Sequence, residues 1–169
     1  PKDWPRWRAI DYGYQDPFAC LWVASDGDGR LYVYREHYVR RQLLSSNARA
    51  ILKWSEATDG RASEHIEYSV IDPNARGTRL ETGMSIMAHL AELGLPTVMG
   101  HNDVEAGIFR LMEWLKVDPV TGKPGLFVFQ NCVNTIKEFE TYRWREPKEG
   151  RDVNVVPEGM NNHALDSLR

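Results

Sequence analysis

The chain has 169 residues, the size of one ordinary domain with a full core, and its 42% hydrophobic and 27% charged residues are typical of a globular protein. There is no apolar run long enough to span a bilayer and no signal-peptide pattern, which argues against membrane spanning and secretion. A formal charge of −3 excludes a whole-surface nucleic-acid binder but leaves room for a local basic groove around an acidic centre.

The opening "PKDWPRW" reads as a linker remnant, residues 1–6, leading into a strand. Because the first residue is Pro1 and the last falls inside a helical pattern, the chain reads as a single domain, 1–169, cut from a longer protein. "WRAID" (7–11) predicts a strand with Trp7, Ala9 and Asp11 on one side and Arg8 and Ile10 on the other. "FACLWVAS" (18–25) and "LYVYREHY" (31–38) predict two more strands, joined by the hairpin signal "DGDGR" (26–30). That segment lacks the later ligands and closing Glu of a calcium loop. Cys20 and Cys132, the only cysteines, sit in apolar contexts and read as reduced, buried thiols of an intracellular protein.

"QLLSSNARAILKW" (42–54) spaces Leu44, Ala48 and Ile51 as a helix does. "HIEYSVID" (65–72) reads as a strand and "ETGMSIMAHLAELG" (81–94) as a helix stopped by Gly94. "PTVMG" (96–100) reads as a short buried strand. "NDVEAGIFRLMEWLKV" (102–117) reads as a helix capped by Asn102, with Glu105 completing a capping box and Ile108, Leu111, Met112 and Leu115 as its apolar stripe. "DPVTGKPG" (118–125) is a turn, "LFVF" (126–129) a strand, "CVNTIKEFETY" (132–142) a helix and "DVNVVP" (152–157) a last extended piece. "MNNHALDSLR" (160–169) starts a closing helix with His163 and Asp166 on one face. A meander followed by β-α-β units predicts an α/β fold: a mixed sheet, antiparallel then parallel, with helices on both faces.

"WRAID" and "YSVID" both end on an acid where a turn begins, Asp11 before Tyr12-Gly13 and Asp72 before Pro73-Asn74. Asp in such places is also a common turn residue. If the two strands are neighbours, their carboxylates face each other across about 5 Å. Two carboxylates that close repel unless a cation or proton lies between them. Should the closing helix pack beside them, Asp166 adds a third carboxylate. Three carboxylates can hold two hard divalent cations, an arrangement suited to phosphodiester hydrolysis.

These residues resemble a known family. "AIDYGYQDPFACLWVASDGDGRLYVYREHY" (9–38), "YSVIDPNARG" (68–77), "NCVNTIKEFETYRW" (131–144) and "NNHALDSLR" (161–169) look like the C-terminal nuclease domain of the large terminase subunit of tailed bacteriophages, in the family's order. The resemblance implies an RNase H-like fold and a metal-dependent endonuclease that cuts concatemeric viral double-stranded DNA during packaging, in the host cell cytoplasm. It implies Asp11, Asp72 and Asp166 as metal-binding and catalytic acids, with two Mg²⁺ or Mn²⁺ ions as cofactors, and His163 as a further catalytic residue, either a ligand to the second metal or a group that orients or protonates near the leaving oxygen. Asp11 would bridge both ions, and Asp72 and Asp166 would each complete one site. Asn162 stands where many members carry Asp, so no ligand is expected there. The implied partners are DNA, the ATPase motor domain of the same natural chain, and the portal and small terminase. That motor is absent here, since no GxxxxGK[ST] occurs. The closing helix, barely one turn long, implies that the natural chain continues past Arg169.

Candidate phosphate contacts are Arg76 and Arg79 just after Asp72, and Arg143, Arg145 and Lys148 in "YRWREPKEGR" (142–151). The same charges also fit a solvated loop. Two other readings remain open: a non-catalytic DNA- or portal-docking module of the same fold, and another RNase H-like nuclease such as a Holliday-junction resolvase. A ribonuclease H is disfavoured, because the first helix carries no acid placed to complete four carboxylates.

Overall fold

A computed structural model describes residues 1–56, 63–77, 83–101, 103–143 and 162–169. Its frame is the predicted meander. Strands β1 (Arg6–Asp11), β2 (Phe18–Ser25) and β3 (Leu31–Val39) pair antiparallel in sequence. The turn between β2 and β3 is fixed by Asp26, whose Oδ1 accepts from the amides of Asp28 (3.0 Å) and Arg30 (2.8 Å). The turn reading of "DGDGR" therefore holds. The residues before β1 lie along this hairpin: the Ser25 amide donates to Pro5 O (3.1 Å), and Trp4 packs on Tyr32.

Helix α1 (Leu44–Ser55) leads to β4 (Tyr68–Ile71), which pairs parallel with β1. Helix α2 (Ile86–Glu92) leads to β5 (Val98–Met99), parallel to β4. Helix α3 (Val104–Leu115) leads to β6 (Leu126–Val128), parallel to β3. Helices α4 (Val133–Thr141) and α5 (His163–Leu168) follow. The sheet order is β5-β4-β1-β2-β3-β6, so every strand except β2 runs the same way.

Each face of the sheet has its own core. Ile10, Phe18, Cys20 and Trp22 meet Leu44, Ala48 and Ile51 of α1 and Ile86 and Leu90 of α2. Leu21, Val23, Val33 and Leu126 meet Cys132 and Ala164, with Leu111, Trp114, Phe139 and Leu168 around them. Strand β2 contributes to both cores and is buried at all but its last residue, which is why it reads as a continuous apolar run. Fully burying one such large side chain contributes roughly 1.5–3 kcal/mol. Both cysteines are free and buried. Arg8 shares the first face, buried, donating to Ser55 Oγ (2.7 Å) with its guanidinium over Trp22.

Four expectations need correction. Strand β5 is not buried: Val98 and Met99 are 48% and 45% exposed, because among the described residues β5 is the sheet edge and pairs only with β4. Helix α3 is capped by Asp103, whose Oδ1 accepts from the Ala106 amide (3.0 Å), so Glu105 lies in the first turn and closes no capping box. Asn102 itself lies outside the described residues. On the α3 stripe Ile108 is buried, whereas Met112 and Leu115 are 50% and 44% exposed. Helix α2 starts later than expected, where Ser85 Oγ accepts from the Ala88 amide, and stops as expected at Gly94, whose φ is 83°. The extended piece expected at 152–157 lies outside the described residues.

Candidate functional site

Asp11 ends β1 and Asp72 follows β4, its parallel neighbour. The register pairs Ile10 with Ile71, and the Asp72 amide donates to Ile10 O (3.2 Å), so the two acids leave the sheet side by side. This is the carboxyl edge of the parallel strands, where open α/β sheets bind ligands. Strand alternation decides which way Asp11 faces. Ile10 belongs to the core under α1 and α2, so Asp11 points to the opposite face, where α4 and α5 pack. The chain then turns sharply. A Cβ on Gly13 would lie 2.4 Å from Pro17 O, so no other residue fits there without moving the loop beside Asp11.

Helix α5 closes over this edge. His163 Nδ1 donates to Asp11 Oδ2 at 2.8 Å, and both side chains are largely buried. The hydrogen bond to Asp11 raises the His163 pKa above its ordinary value against the opposing effect of burial, and the charge of Glu138 adds to the rise. Asp166 lies one turn on. Burial pushes its carboxyl up to about 6, the charge of Asp11 adds to that, and Arg169 and His163 oppose it. Arg169 Nε lies 2.8 Å from Asp166 Oδ1, within ion-pair distance though its N–H does not point along that line. Asn162, expected to be no ligand, donates from its side chain to the same oxygen (3.2 Å). Glycine is needed at 107 for α3 to come this close to α5: a Cβ there would lie 3.1 Å from the Arg169 backbone carbon.

The structure thus brings Asp11, His163 and Asp166 together and sets Asp72 on the adjoining strand end. Asp72 caps its own turn, with Oδ1 accepting from the Asn74 amide (2.7 Å). Arg76 is exposed in that turn, and Arg143 is exposed just beyond α4. Arg79, Arg145 and Lys148 lie outside the described residues. Among the described residues, no three His, Cys, Asp or Glu side chains converge closely enough to hold a metal ion as they stand. The donor set nevertheless fits a hard divalent cation in kind. Its members are carboxylates, and one of them resists ionisation because it is buried beside another. Each of the three acids already holds a protein partner through one of its oxygens, and an ion would share the carboxylate with that partner or replace it.

Two acids that the sequence reading missed build the platform under α5. Glu138, on α4, is 2% exposed. Its Oε2 accepts from the amides of Ala164 (2.8 Å) and Leu165 (3.1 Å), and its Oε1 accepts from Tyr38 Oη (2.7 Å). Glu36, on β3, does the same for α4, accepting from the amides of Asn134 and Thr135 (both 2.9 Å) and from both their side chains (both 2.8 Å). One signal was available. Cys132, Thr135 and Glu138 fall on one helical face that is otherwise apolar or uncharged, and an acid there requires partners.

No family model and no curated protein sequence matches the chain. Solved structures do. The large terminase of a thermophilic bacteriophage superposes with a TM-score of 0.74 at 20% identity, covering 99% of this chain and 39% of that one. The nuclease domain of the P22 large terminase superposes with a TM-score of 0.70 at 20% identity, covering 99% of this chain and 79% of that one. The chain therefore spans about two fifths of the first of these proteins. At such identity the likeness is one of fold, and the expected RNase H-like mixed sheet is borne out: this chain has the fold of the nuclease domain of phage large terminases.

Proposed function

We propose that the chain is a metal-dependent endonuclease that cuts concatemeric viral double-stranded DNA during genome packaging. The observation that carries this reading is the contact of His163 with Asp11, beside a partly buried Asp166 whose ionisation Asp11 opposes, at the carboxyl edge of β1 and β4. A pair of divalent cations, Mg²⁺ or Mn²⁺, would activate a water and stabilise both the leaving 3′ oxygen and the charge developing on the phosphate. Asp11 would serve both ions, with Asp72 and Asp166 each completing one site. His163 holds Asp11 by one carboxylate oxygen and so fixes where the other points. With its raised pKa it is also suited to return a proton to the leaving oxygen.

Arg76 follows Asp72 in the chain and Arg143 follows α4, and we assign both to phosphate contacts together with Arg79, Arg145 and Lys148. The reading extends to the chain's setting: one nuclease domain, 1–169, working with an ATPase motor domain, a portal and a small terminase in the host cell cytoplasm. No helix among the described residues is long and apolar enough to cross a membrane. Incubation with linear duplex, a four-way junction and an RNA–DNA hybrid tests the substrate. Metal-dependent cutting of the duplex is expected, and clear preference for the hybrid or the junction would sink the terminase reading.

A further inference from the structure

We propose that Glu138 is the positioning residue of this site, seating helix α5 so that His163 meets Asp11. For its activity readout the proposal rests on the nuclease reading above; for its structural readout it does not.

Helix α5 has six residues, too few to be stable alone, and its N-cap residue Asn162 makes no side-chain capping bond. The first-turn amides of a helix have no partner within it. Here those of Ala164 and Leu165 are buried as well, with the two residues only 0% and 3% exposed. Glu138 Oε2 takes both. A carboxylate as buried as Glu138 persists only when its oxygens are engaged, and Tyr38 Oη engages the other one. An apolar side chain would satisfy the packing of α4 against the sheet. The charge is explained by what it holds.

What it holds is next to the chemistry. Ala164 directly follows His163, so the anchored amide is one residue from the imidazole on Asp11. A small slip of α5 would break a 2.8 Å bond and carry Asp166 with it. The anchor is itself anchored, because Glu36 pins the first turn of α4 to β3. Glu36 and Tyr38 are two apart on β3 and so lie on one face of it. One strand face therefore sets the start of α4 and, through Glu138, the start of α5.

The test compares Glu138→Met, which keeps the volume but accepts no amide, with Glu138→Gln, whose amide oxygen still accepts both. Glu140→Gln, an exposed change on the same helix, is the control. The structural readout is the ring ¹⁵N signal of His163 by NMR, without metal or DNA. The functional readout is Mn²⁺-supported plasmid cleavage. In Glu138→Met the His163 signal should leave its Asp11-bonded position, and kcat should fall about 100-fold with KM for DNA nearly unchanged. Glu138→Gln should restore most of both. A Glu138→Met protein with the wild-type His163 signal and wild-type kcat overturns the proposal, and so does an equal loss in Glu140→Gln. If Glu138→Met does not fold, Tyr38→Phe decides. It disengages Glu138 Oε1 alone, so a shifted His163 signal supports the proposal, and a wild-type signal with wild-type kcat overturns it. If the wild-type protein cuts no DNA, the nuclease reading fails, while the His163 signal still decides the role of Glu138.

Discussion

His163 on the last helix donates a 2.8 Å hydrogen bond to Asp11 at the end of the first strand, joining residues 152 apart in the chain. This bond brings the closing helix onto the carboxyl edge of the sheet, and the proposed site rests on it. It also ties the proposed chemistry to a short helix that depends on other residues for its position.

Asp166 gives the first prediction. Its carboxyl is pushed from an ordinary 3.8 up to about 6, so the folded state holds this proton more tightly than the unfolded chain does. Stability should therefore fall as pH rises from about 4 to about 6. The raised pKa of His163 acts in the same direction at higher pH: its contribution is complete below the ordinary 6.5 and is lost as pH rises through the folded value. Replacing Asp166 by Asn removes the charge that the site disfavours. At pH 7.5 without metal, Asp166→Asn should stabilise the fold by about 2 kcal/mol and raise Tm by about 5 °C. An unchanged or lowered Tm, or an unchanged slope between pH 4 and 6, would contradict the assigned environment.

Metal binding should show competition with protein partners. Asp11, Asp72 and Asp166 are engaged by His163, Asn74 and Arg169 respectively. Removing the cation beside Asp166 should therefore tighten Mn²⁺. At pH 8, Arg169→Ala should bind Mn²⁺ about fivefold more tightly by calorimetry, in line with ~1 kcal/mol for a partly buried charge pair. Weaker binding would show that Arg169 helps to build the site. In cleavage, Mn²⁺ should serve at least as well as Mg²⁺, and Ca²⁺ should bind without turnover, because its coordination is looser. Equal rates in EDTA would rule out the metal mechanism.

The loop after Asp11 should tolerate no Cβ at residue 13. In Gly13→Ala the new atom meets the backbone oxygens of Pro17 and Asp16 at 2.4 and 2.5 Å. Backbone must move, at a cost of about 1–3 kcal/mol. Chemical denaturation should show that loss, and cleavage should fall with it through displacement of Asp11. A Gly13→Ala protein as stable as wild type would mean that the loop is looser than described.

The frame of the site was legible because its signals are local. An apolar strand ending in Asp before a turn occurs twice, at Asp11 and Asp72, and the β-α-β order makes those strands plausible neighbours. The closing helix was legible as well, through the spacing of His163 and Asp166. What holds that helix was not. Glu138 meets Ala164 across 26 residues and Tyr38 across 100, and no periodicity encodes such pairings. The cap of α3 shifted from Asn102 to Asp103 because two adjacent residues of similar capping ability are separated only by backbone geometry. Strand β5 was misjudged as buried because apolar composition does not distinguish an edge from a centre.

Replacing Asp11 should separate chemistry from folding. Neither Asp11 nor its partner His163 belongs to the core under either face. Asp11→Asn should keep the circular dichroism of the wild type and lose at least about 100-fold in cleavage rate, the scale of removing one transition-state stabiliser. Unfolding of this variant would mark Asp11 as a structural cap.

The most direct measurement is plasmid cleavage at low salt with Mn²⁺, Mg²⁺ or EDTA, on the wild type and on Asp166→Ala. The account predicts nicking and linearisation that require the metal and vanish in the variant. Cutting that persists in EDTA, or that Asp166→Ala leaves unchanged, would contradict it.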